Sequence, residues 1–135
     1  MAFFGLYGST AAFATTLALS AVVNCIGIGF QRGTHTRCQL VANDGSGAPT
    51  LVDMGASFAI ATGGVLTLFV AAAPNAGSVW VRVVDEVSGA VFEQEITTDL
   101  PATNQFLAPR LFMNNGATAA AVAFECAGVY LETDF

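Results

Sequence analysis

The sequence predicts an all-β protein, a sandwich or barrel of antiparallel strands. Three observations carry that expectation. Fourteen glycines, several in Asn-Gly, Asp-Gly and Ser-Gly pairs, cut the chain into short apolar runs. β-Branched residues gather inside those runs, where an extended backbone suits them. Helical periodicity is nearly absent along the chain.

The elements follow in order. The first strand is expected at 3–7, Phe-Phe-Gly-Leu-Tyr. Residues 10–22 suit a short helix, a 3₁₀ turn or a loop. Strands are then expected at 25–31, 37–43, 50–54, 65–72, 79–87, 90–97 and 106–113, with a last one at 119–131. Gly128 marks a bulge in that last strand. No linker, charge run or repeat divides the chain, so residues 1–135 read as one domain. Residues 1–23 read as a contact arm or an edge segment.

Two hairpins give register. A two-residue loop at Ser88-Gly89 sets Asp85 against Phe92, Val83 against Gln94 and Val81 against Ile96. Val79, Val81, Val83, Phe92 and Ile96 then share a core face. The opposite face carries Trp80 and sets Arg82 against Glu95 as a cross-strand ion pair. A turn at Asn115-Gly116 sets Leu111 against Ala120, Leu107 against Phe124 and Met113 against Thr118. The other face of that hairpin holds Phe106, Ala108, Arg110, Phe112 and three alanines, and is almost as apolar. A sheet with one wet face alternates polar and apolar residues. Both faces are therefore expected to be covered, by the same chain or by a neighbouring subunit.

Composition narrows the function. The chain is 54% hydrophobic and 10% charged, with four arginines, no lysine and a net charge of -6. Disorder needs the opposite balance. Nucleic-acid binding needs a basic footprint that four arginines do not supply. Without lysine there is no Schiff base, no phosphate-loop lysine and no lysine general base. Few charges on an apolar chain imply either a membrane setting or surface buried against other subunits.

The membrane setting is the weaker fit. Residues 11–30 are long enough to span a bilayer but carry Thr15, Thr16, Ser20, Asn24, Gly27 and Gly29. A secretory leader needs a basic start, and the first positive residue is Arg32. Too few strands are expected for most outer-membrane barrels.

Candidate chemistry is sparse. His35, the single histidine, sits in Arg32-Gly-Thr-His-Thr-Arg37 and reads as a polar hairpin tip. Asn43-Asp44-Gly45-Ser46-Gly47 reads as a turn rather than a calcium loop. Cys25, Cys38 and Cys126 have no motif spacing and read as buried small hydrophobes in a reducing compartment. A Cys25–Cys38 bridge requires their strands to pair. Glu93 and Glu95 share one side of a strand with Arg82 opposite, and read as solvated surface rather than a hydrolytic pair. Trp80 suits a protein interface, or stacking on a sugar ring. No catalytic residue, cofactor site or metal site is expected.

From Gln39 onward the organisation is specific. It runs Gln39-Leu-Val-Ala-Asn-Asp-Gly-Ser-Gly47, Gly55-Ala-Ser-Phe58, Leu66-Thr-Leu-Phe-Val70, Trp80-Val-Arg-Val-Val-Asp85, Ser88-Gly89 and Thr97-Thr-Asp-Leu-Pro101. It closes with Phe106-Leu-Ala-Pro-Arg110, Asn114-Asn-Gly-Ala-Thr-Ala-Ala-Ala121 and Gly128-Val-Tyr-Leu-Glu-Thr-Asp134. This resembles tailed-bacteriophage virion proteins with a jelly-roll-like β-sandwich, over about the last hundred residues. The resemblance implies an all-β antiparallel jelly-roll-like sandwich and a virion context, and carries no catalytic residues.

The expected function is therefore that of a structural virion protein, not an enzyme. Tail-fibre proteins carry a longer N-terminal attachment region, whereas Met1 here lies almost directly in the sandwich. That favours a capsid cement or decoration subunit, locking a phage shell by non-covalent contacts. The expected partners are a second or third copy, as a dimer or trimer, and the phage major capsid protein. Neither a membrane nor nucleic acid is expected as a partner. Such a subunit is assembled in the bacterial host cytoplasm and resides in the virion. The alternative is a tail-fibre or receptor-binding sandwich that recognises a host surface glycan. The interface candidates are Phe3, Phe4, Leu6, Tyr7, Trp80, Arg82, Phe106, Arg110 and Phe112.

Overall fold

The computed structural model describes all residues except 10, 15, 62, 116–122, 124 and 133–135. Among the described residues there are eight strands: β1 (Ala2–Tyr7), β2 (Cys25–Phe30), β3 (Gln39–Asn43), β4 (Thr50–Asp53), β5 (Leu66–Ala71), β6 (Val79–Asp85), β7 (Val91–Ile96) and β8 (Ala108–Met113). All their pairings are antiparallel. They make a five-stranded sheet, β4-β3-β2-β1-β8, and a three-stranded sheet, β5-β6-β7. The fold is thus the all-β sandwich expected from the sequence. Its strands run as two meanders with β8 returning beside β1. That order does not by itself make a jelly roll.

The core lies between the sheets. Ile26, Ile28, Leu40 and Ala42 pack with Val79, Val81, Val83 and Ile96, while Phe92 borders the same cluster. β6 alternates, with Val79, Val81 and Val83 inward and Trp80, Arg82 and Val84 outward, as period-2 geometry requires. β2 and β3 do not alternate: almost every residue is buried. The reason is a third layer. Residues of the β1–β2 connection fold back over the outer face of the larger sheet. Phe13, Leu19 and Val22 join Phe3, Tyr7, Cys25 and Val41 in a second cluster. The connection contains a 3₁₀ turn, Leu19–Ala21, whose Leu19 N–H donates to Gln31 Oε1 at 3.2 Å. Glycine makes room beneath it, since a Cβ on Gly29 would stand 2.6 Å from Leu19 Cδ1. β2 and β3 are therefore covered on both faces within one chain.

That layer corrects the reading of residues 1–23 as an arm or edge. β1 hydrogen-bonds to β2 on one side and β8 on the other, so it is an interior strand. Removing residues 2–20 would take out β1 from between β2 and β8.

Two further corrections concern register. The β6–β7 loop has four residues, 86–89, not two. Asp85 N–H donates to Ala90 O, and Gly89 N–H donates to Asp85 O. The Asp85 carboxylate accepts the Val87 and Ser88 N–H groups, and Gly89 takes φ +75. Asp85 therefore organises the turn one step earlier than Ser-Gly counting suggests. The register moves by two residues, so the faces survive while the partners change: Arg82 opposes Glu93, and Glu95 opposes Trp80. The expected last strand is also corrected. Residues 123 and 125–131 lie in no strand. The Asn115-Gly116 turn and its pairings with Thr118, Ala120 and Phe124 lie outside the described residues.

Candidate functional site

The uncovered surface is the outer face of the three-stranded sheet. Antiparallel register stacks its side chains in three cross-strand rows. They are Phe69–Arg82–Glu93, Ala71–Trp80–Glu95 and Thr67–Val84–Val91. Trp80 is 56% exposed, Phe69 53% and Val91 48%. Arg82 Nη1 donates to Glu93 Oε1 at 2.8 Å, and Thr67 Oγ1 donates to Glu86 Oε1 at 2.6 Å. The result is an exposed sheet face whose central row carries the Arg82–Glu93 ion pair, with Phe69 beside it and Trp80 and Val91 in the rows to either side. Solvent reaches both members of that pair, so it contributes little to folding stability.

The interface candidates separate. Trp80 and Arg82 share this platform. Phe3 and Tyr7 are buried in the layer beneath the connection and are corrected from surface to core. Phe112 is half-buried with its ring 4.7 Å from Phe13, and the Arg110 guanidinium lies 5.3 Å from the same ring. Arg110 also donates to Ala11 O at 3.2 Å, so both serve the internal cover. Phe4 and Leu6 are half-buried on the face turned toward the sandwich. Phe106 is 92% exposed but precedes β8, in the other sheet. Sequence reasoning missed Phe69 and Val91. The signal for Phe69 was available, since Leu66, Leu68 and Val70 alternate with Thr67 and Phe69, but no turn fixed how β5 meets β6.

A second feature is a slot between the sheets. At one side the sandwich is closed: Thr50 Oγ1 donates to the Asp99 carboxylate, tying β4 to the segment after β7. At the other side, β5 lies across β2. Beyond it Phe4 of β1 borders the core cluster, and Leu111 and Met113 of β8 are only half-buried. Phe4, Phe30, Leu66, Leu111, Met113 and Glu125 line an opening there of about 180 Å³.

The polar groups have structural partners. His35 Nδ1 accepts the Gln31 N–H at 3.1 Å in a tight turn after β2. In the 43–47 turn, the Ser46 N–H and hydroxyl both donate to Asp44 and hold its carboxyl below the usual value. The Gly55 N–H, more than nearby Arg37, does the same for Asp53. Among the described residues, no cluster of three or more His, Cys, Asp or Glu could hold a metal ion. Also among them, no helix is long and apolar enough to cross a membrane.

Cys25 and Cys38 are free and buried, while Cys126 is free and exposed, which corrects the expectation for the third. β2 and β3 do pair, but Cys25 stands opposite Asn43 and Cys38 belongs to the other cluster, so they are not bridged.

No protein-family model, curated protein or solved structure matches this chain.

Proposed function

We propose that the chain is a structural subunit that acts by docking, and that its setting is a phage particle, where it cements the shell. The observation that supports docking is the exposed outer face of β5-β6-β7, where Trp80, Phe69 and Val91 surround the Arg82–Glu93 pair. A monomer gains nothing from exposing three large apolar side chains on one flat face. Trp beside Arg is the composition of an interface centre. The virion setting rests on the sequence resemblance.

The mechanism is burial. Apolar contact contributes about 25 cal/mol per Å² removed from water, and a standard interface of about 1,600 Å² has a large gross stabilisation. Association then offsets about 4–15 kcal/mol of it. The residual per copy adds up over a shell. The platform carries Glu93 and Glu95 against Arg82, so the partner face it fits is apolar with a basic margin. Quantitative mass spectrometry of purified particles encoding the chain tests this. Hundreds of copies per particle support cement, and absence from the particle would overturn the virion reading.

The pairing of Trp80 with Glu95 supports a second reading. An exposed indole can stack on a sugar ring while the carboxylate beside it accepts hydrogen bonds from the sugar hydroxyls, as a glycan-binding tail fibre requires. That reading expects tens of copies or fewer, and binding on a glycan array that Trp80→Ala removes.

A further inference from the structure

We infer that Arg32 of one copy docks on Trp80 and Glu95 of a second copy, its guanidinium stacked on the indole and paired with the carboxylate. The inference rests on the docking reading and names a partner for that face, a second copy of this chain.

The receiving side is a cross-strand pair. Register sets Trp80 directly opposite Glu95, and both are exposed on the outer face. The neighbouring acids are engaged: Glu93 is paired with Arg82 at 2.8 Å, and Glu86 accepts the Thr67 hydroxyl. The Glu95 carboxylate has neither an ion pair nor a hydrogen bond among the described residues. An indole beside such a carboxylate suits a guanidinium, which stacks on aromatic rings and bonds carboxylates through two N–H groups at once.

The entering side follows by elimination. The chain has four arginines and no lysine. Arg82 is held by Glu93 and Arg37 by Asp53, while Arg110 is held by Ala11 O and the Phe13 ring. Arg32 is exposed, and its guanidinium has no such partner among the described residues. Its turn is tied at the base. The Thr34 and His35 N–H groups donate to Gln31 O at 3.0 and 2.8 Å, the Gln31 N–H donates to His35 Nδ1 at 3.1 Å, and Gly33 takes φ +93. A fixed stem lowers the ordering cost of docking.

Within one chain the two sides do not meet. Trp80 points away from the larger sheet, and Arg32 follows the end of β2 in that sheet. A net charge of -6 makes copies repel unless a cation is set against an acid, and Arg32 with Glu95 supplies that match. The two patches differ, so the contact is heterologous and copies add head to tail.

Sedimentation of the full chain over a range of concentrations tests this. The wild type is expected to self-associate. Arg32→Glu and Glu95→Arg each bring like charges together, and each alone is expected to weaken association about tenfold or more. Mixed in equal amounts, the two variants are expected to regain it, because each offers the charge that the other lacks. Both positions are exposed, so unchanged urea midpoints are expected; Arg32→Ala and Glu95→Gln replace any reversal that fails to fold. A wild type that stays monomeric throughout overturns the inference. So do single variants that associate as the wild type does, or a mixture that associates no better than its parts. The particle copy number is read independently of Arg32, so this contact can fail while the cement reading stands, and the reverse.

Discussion

Single residues decide how closely the layers approach, and two kinds stand out. Gly5 and Gly27 oppose each other in β1 and β2, and a Cβ on Gly5 would fall 2.5 Å from Gly27 Cα. Glycine here is a packing choice: Phe3 and Tyr7 flank Gly5, and the Phe13 ring lies 6.0 Å from one and 4.6 Å from the other. The second kind is the buried thiol. Burial pushes Cys25 up to about 12 and Cys38 up to about 11, with Asp85 adding to the latter. Both values exceed the ordinary 9.0 of an exposed thiol. The native state therefore binds these protons more tightly than the unfolded state does. The stability they contribute is fully present below pH 9. It falls as pH rises toward 11 and then 12, by up to about 1.4 kcal/mol per pH unit for each thiol. Urea titrations at pH 8, 9 and 10 are expected to show falling midpoints, and Cys25→Ala with Cys38→Ala to flatten that slope. Equal slopes in the two proteins would refute it.

At the scale of elements, the β1–β2 connection matters most. It is an irregular segment that serves as a layer, and Phe13 is its anchor, in contact with Phe3, Tyr7 and Phe112 and capped by Arg110. Phe13→Ala is expected to destabilise the fold by about 3–5 kcal/mol, read as a lowered urea midpoint. A change under 1 kcal/mol would mean that the connection is not a layer. The strands up to β7 were legible in the sequence because glycine-bearing turns separate them, whereas the connection from β7 to β8 has no glycine. Strand partners were less so. The β6–β7 faces followed from alternation, which a two-residue shift preserves, whereas the partner of Arg82 depended on how the Asp85 side chain folds the turn. β1 looked like an arm because an uncharged stretch is equally consistent with an exposed apolar segment and with a strand covered on both sides. Only the long-range pairing with β8 separates the two.

For the whole molecule the question is which surface the chain leaves for others. The sequence pointed to Trp80 and Arg82 because hairpin counting put both on an outward face. It also pointed to Phe3 and Tyr7, which alternation placed together but could not assign to a covered or a bare side. Their cover comes from residues 11–22, a segment without periodicity, so no local pattern announces it. The platform can be separated from the fold by experiment because Trp80 is more than half exposed and lies outside both core clusters. Trp80→Ala is expected to change unfolding free energy by no more than about 1 kcal/mol. An interface-centre tryptophan contributes about 2 kcal/mol or more to binding when truncated, a factor of about 30 in affinity. The same variant should therefore bind particles depleted of the chain about 30-fold more weakly. Arg82→Ala should act mainly through association rate and salt dependence, because its ion pair is at a solvated position. Wild-type affinity in the Trp80 variant, with folding intact, would place the docking surface elsewhere.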